Sequence, residues 1–261
     1  MKAVILAGGR GTRLAEETSV RPKPLVEIGG KPILWHIMQI YAHFGVTDFI
    51  VAAGYKGEMI KEYFANFFLH NNDYRFDLRT GERTLLSEGA IDWSVSVIDT
   101  GLDTNTAGRV LQLREQLDGR DFMLTYGDGV ADVDIAALAA FHAGHDRLAT
   151  VTAVRPPARF GSLDIQGGTV RRFIEKPQTE SGWINGGFFV FRTGMFDYLQ
   201  QIDPRGEETS LERAVLQRMS AEGQLMAHPH AGFWRPMDTL RDRQELERMW
   251  AAGQAPWKLW R

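Results

Sequence analysis

The chain opens with an apolar run, residues 3–7, that passes directly into Gly8-Gly9-Arg10-Gly11-Thr12-Arg13-Leu14. A short apolar run stopped by glycines reads as a buried strand. The three glycines let the backbone behind it pass close to a ligand, and successive N–H groups there can surround phosphate oxygens as an anion-binding nest. Neither common glycine fingerprint is present. No Gly-Lys-Ser/Thr closes the loop, and Leu14 stands where a dinucleotide fold has its last glycine, which argues against a nicotinamide oxidoreductase. A plain strand-to-helix turn is the other reading of the loop alone.

From residue 1 to about 146, short apolar runs alternate with amphipathic stretches, the pattern of βαβ units around a mainly parallel sheet. The strand candidates are residues 3–7, 49–53, 95–99 and 122–126. Between the first two, Ile33, Ile37, Ile40, Tyr41 and Phe44 fall at helical spacing, with Pro32 in the first turn and Gly45 as the stop. Further helices are expected at about 57–69 and 106–117. Beyond residue 146 the texture turns to strands: 149–155, 162–165 and 170–175 about a Gly167-Gly168 turn, and 184–191. Helical patterns return at about 211–219 and 240–250, the second running into a tail with Trp250, Trp257 and Trp260.

Composition excludes several classes. A chain of 261 residues with 44% hydrophobic and 24% charged residues suits one globular core. A net charge of −3 gives no general pull toward nucleic acid or an anionic membrane. Without cysteine there is no disulfide framework, thiolate metal site or cysteine nucleophile. No stretch approaches the ~20 apolar residues of a membrane span, so a cytoplasmic protein is expected.

Two further features point to phosphate chemistry. Arg21-Pro22-Lys23-Pro24 sets a lysine between two prolines, where its ammonium costs little entropy to position. Asp128 follows the strand at 122–126, which places it at the carboxyl edge of a parallel sheet, where open α/β folds bind ligands. A hard divalent cation there would take one or two carboxylates plus phosphate oxygens. For Asp128 the alternative is a turn aspartate before Gly129, and Asp238, just before Leu240, reads from the chain alone equally as a helix N-cap.

Gly-Gly-x-Gly-Thr-Arg followed by Pro-Lys-Pro resembles the signature of the sugar-1-phosphate nucleotidylyltransferase family. Glu27-Ile28-Gly29-Gly30-Lys31-Pro32-Ile33-Leu34-Trp35-His36, Thr125-Tyr126-Gly127-Asp128-Gly129, Asn185-Gly186-Gly187-Phe188-Phe189 and Gly232-Phe233-Trp234-Arg235-Pro236-Met237-Asp238-Thr239 resemble the members that use CTP, as does Ala255-Pro256-Trp257-Lys258. The resemblance covers nearly the whole chain. It implies a Rossmann-like α/β core with a β-rich sugar-binding lobe, and one nucleotidyltransferase domain over 1–261. Residues 1–146 would bind nucleotide, and 147–261 would bind sugar and mediate oligomerisation. The implied reaction joins CTP to α-D-glucose 1-phosphate, giving CDP-glucose and pyrophosphate, with Mg²⁺ held by Asp128 and Asp238.

By the same resemblance, Arg13 and Lys23 are the catalytic residues. Leu6, Ala7, Gly8, Gly9, Arg10, Gly11, Thr12, Arg13, Thr104, Thr106, Arg109 and Gly127 bind the nucleotide. Lys23, Tyr126, Glu175, Lys176, Asn185, Gly186 and Trp234 face the sugar phosphate, although Lys176 also reads as a surface lysine and Trp234 as core packing. Arg10 stands where relatives often carry an apolar residue, Ala107 where many have glycine, and Leu211 and Val215 where tryptophan and proline are usual near Glu212. A homo-oligomer, trimer or hexamer, is implied. A thymidylyl- or uridylyltransferase and a non-catalytic nucleotide-sugar-binding regulator are the alternatives. The regulator should lose Arg13, Lys23 or an aspartate, and all are present. His142 and His145 read as a solvated helical face. No role is assigned to His228-Pro229-His230, and Tyr63, Phe64, Phe67 and Phe68 read as core or as a subunit contact.

Overall fold

The computed structural model describes residues 1–87, 91–156, 162–166, 169–174, 182–200, 202–203 and 210–260. The first part contains β1 (Lys2–Ala7), α1 (Ala15–Thr18), the short pair β2 (Glu27–Ile28) and β3 (Lys31–Pro32), α2 (Ile33–His43), β4 (Asp48–Ala53), α3 (Gly57–Ala65), α4 (Phe67–Asn71), the hairpin β5 (Tyr74–Asp77) and β6 (Glu82–Leu85), and β7 (Ser94–Asp99). Then come α5 (Thr106–Gln112), β8 (Phe122–Tyr126), β9 (Gly129–Ala131), α6 (Ile135–Ala143), β10 (Ala149–Val154), the hairpin β11 (Ser162–Gln166) and β12 (Thr169–Ile174), and β13 (Ile184–Phe191). The chain continues through α7 (Phe196–Leu199), a π-helix at Leu211–Leu216, α8 (Gln217–Ala221), β14 (Leu225–His230), β15 (Trp234–Pro236) and α9 (Leu240–Ala251).

Seven strands form one sheet in the order β14-β10-β13-β8-β1-β4-β7. β8, β1, β4 and β7 are mutually parallel, β14 is parallel to β10, and β13 runs antiparallel to both its neighbours. The expected mainly parallel α/β core is therefore present. Its strands bury both faces: Ala3, Ile5 and Ala7 of β1 feed one core with α2, while Val4 and Leu6 feed the other with α5, α7 and the π-helix. That two-sided alternation is why β1 reads as a continuous apolar run.

The four N-terminal strand candidates appear as β1, β4, β7 and β8, and the spaced apolar residues from Ile33 to Tyr41 form α2. Other expectations need correction. The helix expected at 57–69 breaks at Asn66, whose side-chain amide donates to the Glu62 carbonyl at 2.9 Å and competes with helix continuation. The helix expected from 106 stops at Gln112, and the one at 211–219 begins as a π-helix. His228-Pro229-His230 belongs to strand β14, where proline is tolerated because β14 is an edge. His142 does not face solvent. It is 3% exposed, and both His142 Nδ1 and His145 Nε2 lie 2.8 Å from the Thr150 hydroxyl on β10. The Gly167-Gly168 turn lies outside the described residues.

Candidate active site

The glycine loop leaves the carboxyl end of β1 and closes one wall of a cleft of about 320 Å³. Leu6, Ala7, Gly8, Gly9, Gly11, Thr12, Arg13, Thr104, Thr106, Arg109 and Gly127 line it, together with Lys23, Tyr126 and Asp128. Gly11 needs its glycine: at φ +63° it takes the left-handed turn that starts the Thr12–Leu14 helical turn, and a Cβ there would press on Thr18. Arg10 is not a lining residue. Its guanidinium reaches out to Asp103 at 2.8 Å and ties the loop to the segment carrying Thr104.

Arg109 lies beneath the loop and is 4% exposed. It donates to the carbonyls of Ala53 (3.1 Å), Gly101 (2.8 Å), Gly8 (3.1 Å) and Leu102 (3.4 Å), and to the Thr100 hydroxyl at 2.6 Å. One guanidinium thus fastens the glycine loop to the ends of β4 and β7. A Cβ on Gly8 would fall 2.2 Å from it, which is why that position is glycine. Burial lowers the Arg109 pKa, with Asp99 opposing, yet a guanidinium stays charged. Its positive charge therefore sits under the floor of the cleft. Thr106, at the start of α5, uses its hydroxyl oxygen to accept from Leu211 N at 2.7 Å.

Asp128 and Asp238, far apart in sequence, meet because β9 and β15 pair as an antiparallel ribbon, Gly129 against Pro236, and Met237 N donates to the Asp128 carbonyl at 2.7 Å. The Lys23 ammonium fills the point between them, 2.7 Å from Asp128 Oδ2 and 2.8 Å from Asp238 Oδ1. Arg13 holds the other oxygen of Asp238 at 2.8 Å. Asp238 is not the cap of α9. Thr239 is, in a capping box with Asp242, which leaves the Asp238 carboxylate free to face the cations.

Two hard-oxygen carboxylates converging on one cation are the donor set that a divalent ion shares with phosphates. Among the described residues no three acidic or imidazole side chains gather on one point, so an ion here would complete its shell from ligand and water.

Tyr126, Asn185, Gly186 and Trp234, expected on the sugar side, form an adjoining cluster. Asn185 donates to the Tyr126 hydroxyl at 3.3 Å and accepts from Gly187 N at 2.8 Å. Trp234 is half-buried and donates to the Gly186 carbonyl at 2.7 Å, so it braces β13 where its register against β10 shifts rather than simply filling core. Tyr126 donates to Glu212, a contact that motif reading did not single out. Burial, reinforced by the Glu212 carboxylate, pushes the Tyr126 phenol above its ordinary pKa. Glu175 and Lys176 lie outside the described residues.

A mainly parallel α/β sheet thus carries, at one cleft, a glycine loop, a proline-flanked lysine and two aspartates joined through the β9–β15 ribbon, a constellation suited to binding phosphates. The sequence profile of the nucleotidyl transferase family matches residues 2–247, and the chain belongs to that family. Glucose-1-phosphate cytidylyltransferase of Salmonella typhi is 51% identical over 261 residues, covering 100% of both chains. Mannose-1-phosphate guanyltransferase beta-A of Xenopus laevis is 31% identical over 93% of the chain, which spans 62% of that protein. The solved structure of UDP-glucose pyrophosphorylase complexed with UDP-glucose superposes with a TM-score of 0.67 at 14% identity, over 97% of this chain and 98% of that one.

Proposed function

We propose that the chain transfers the cytidylyl group of CTP to α-D-glucose 1-phosphate, releasing pyrophosphate and leaving CDP-glucose. The observation that carries the chemistry is the Lys23 ammonium seated between Asp128 and Asp238 beside the glycine nest. Full-length identity of 51% to the Salmonella enzyme supports the choice of base and sugar.

In this reading a phosphate oxygen of glucose 1-phosphate forms a new bond to the α-phosphorus of CTP, and the bond from that phosphorus to the β-phosphate breaks. The attacking oxygen is already anionic at neutral pH, so no base is required, and positioning with charge neutralisation dominates. The loop N–H groups from Gly8 to Arg13 cradle the triphosphate. Arg13, exposed on the loop, stabilises the departing pyrophosphate. Lys23 turns from the carboxylates to the phosphates as these enter, neutralising charge at the reacting centre. Arg109 keeps the nest in shape and adds its charge from below. Asp128 and Asp238 would hold Mg²⁺, which when bound supplies charge neutralisation across the nucleotide phosphates.

Tyr126, Asn185, Gly186 and Trp234 orient the glucosyl phosphate, with Lys176 and Glu175 added by family resemblance. A cytoplasmic homo-oligomer fits this reading. Among the described residues Phe68, Phe76, Leu78 and Leu86 stand exposed along α4 and the β5–β6 hairpin, a surface suited to a second copy that lies in the first part of the chain and not in the 147–261 part expected to mediate assembly. Incubation with CTP, glucose 1-phosphate and Mg²⁺ should yield a product with the mass of CDP-glucose, and omission of either substrate should abolish it. Failure to form that product with both substrates present would overturn the proposal.

A further inference from the structure

Glu212 is the second residue of the π-helix Leu211–Leu216, an element type that is rare and concentrated at functional positions. Leu211 and Val215 are fully buried and seat this helix on the sheet without help from Glu212. Its start is pinned twice more, by Leu211 N donating to Thr106 Oγ1 at 2.7 Å and by Arg213 N donating to Ser210 Oγ at 3.2 Å. A carboxylate held half-buried beside a phenol loses hydration that a leucine at the same position would not need. Packing therefore gives no reason for a glutamate here.

The reason lies in Tyr126. This residue ends β8 two positions before Asp128, lines the cleft, and has its ring pressed against Gly187, where a Cβ would come within 2.6 Å of Tyr126 Cδ2. The ring is thus fixed and only the phenolic proton remains to be oriented. A phenol has one proton to donate and lone pairs with which to accept. The proton goes to Glu212, and one lone pair takes the Asn185 amide at 3.3 Å. What Tyr126 then shows to the cleft is an oxygen that can only accept. Asn185 is fixed in turn, because its own oxygen is taken by Gly187 N at 2.8 Å.

We propose that Glu212 is a positioning residue for the sugar substrate: by holding the Tyr126 proton it presents the phenolic oxygen as an acceptor for a hydroxyl of the glucosyl ring. This rests on the reading of the site as one for glucose 1-phosphate and CTP. The contacts also run in series, from Arg109 under the glycine loop, along α5 to Thr106, through Leu211 to Glu212 and Tyr126. The sugar-facing acceptor is therefore built on the element that shapes the phosphate nest.

Steady-state kinetics of Glu212→Leu, Glu212→Gln, Tyr126→Phe and the Glu212→Leu/Tyr126→Phe pair test this. Glu212→Leu and Tyr126→Phe should each raise KM for glucose 1-phosphate about tenfold, the loss of one directed hydrogen bond, with KM for CTP within about twofold of wild type. The pair should be no worse than either single change, because both remove the same interaction. Glu212→Gln, which keeps an acceptor oxygen, should recover most of the sugar KM. An unchanged sugar KM, a parallel rise in both KM values, or multiplied effects in the pair would overturn the proposal, as would a loss of thermal stability with kinetics intact. Wild-type turnover separates the two claims: if another sugar phosphate or nucleotide proved to be the substrate, the functional reading would fall, and the same comparison on that sugar phosphate would still decide Glu212.

Discussion

Lys23 is held by its backbone before it is held by its charge. Pro22 and Pro24 fix the chain on both sides, and the side chain, 9% exposed, can then bridge two carboxylates at little entropic cost. Lys23→Ala should lower kcat roughly 100-fold or more, the cost of removing one preorganised charge at a reacting phosphate, as read by pyrophosphate release. Full turnover in that variant would remove Lys23 from the chemistry. Arg109→Lys is expected to act differently. A lysine cannot replace a fork that satisfies five oxygens, so buried carbonyls lose partners and stability should drop by about 2–3 kcal/mol in urea unfolding. Asp128 and the glycines were legible because each follows a strand within a few residues, and Lys23 because prolines flank it on both sides. Arg109 was legible only as a family contact, and Glu212 not at all, since what each touches is brought to it by the sheet.

The ribbon of β9 and β15, and α9 behind it, decide where the second aspartate lies. Thr239 and Asp242 cap α9 reciprocally, with Thr239 N donating to Asp242 Oδ2 at 2.9 Å and Asp242 N donating to Thr239 Oγ1 at 3.2 Å. Thr239→Ala should cost about 1 kcal/mol of stability. It should also raise the Mg²⁺ concentration needed for half-maximal activity, because Asp238 N shares the same capping carboxylate; an unchanged Mg²⁺ requirement would show that the cap and the site are independent. α2 could be read from periodicity alone, as it presents Ile33, Ile37 and Ile40 to one core. The β5–β6 hairpin could not. Its exposure pattern lacks the alternation of a half-buried strand, so the period that marks strands is missing. Short ribbons such as β9 and β15 escape notice for a simpler reason: three residues hold too few positions to show a period.

Across the molecule, the C-terminal tail closes back onto α2. Trp257 is fully buried, stacks on Phe233 at 5.5 Å, and donates to His36 Nδ1 at 3.3 Å, while His36 Nε2 donates to the Ile28 carbonyl at 2.8 Å. Those partners require a neutral imidazole, and burial lowers the His36 pKa to about 4. Burial likewise lowers His142 to about 4, and its Nε2 has no partner among the described residues. Between pH 6.5 and 4 the unfolded chain takes up these protons and the folded chain does not, so stability falls as the pH drops. Each histidine should cost about 2 kcal/mol at pH 5 relative to neutral pH. Thermal unfolding at pH 7 and pH 5 checks this; equal midpoints would contradict it. The central claim concerns the cleft that this closed structure supports. It is tested most directly by pyrophosphate release with glucose 1-phosphate and Mg²⁺, supplying CTP, dTTP, UTP, ATP and GTP in separate reactions. The account predicts turnover with CTP well above the other four; turnover with dTTP or UTP in its place, or silence with all five, would contradict it.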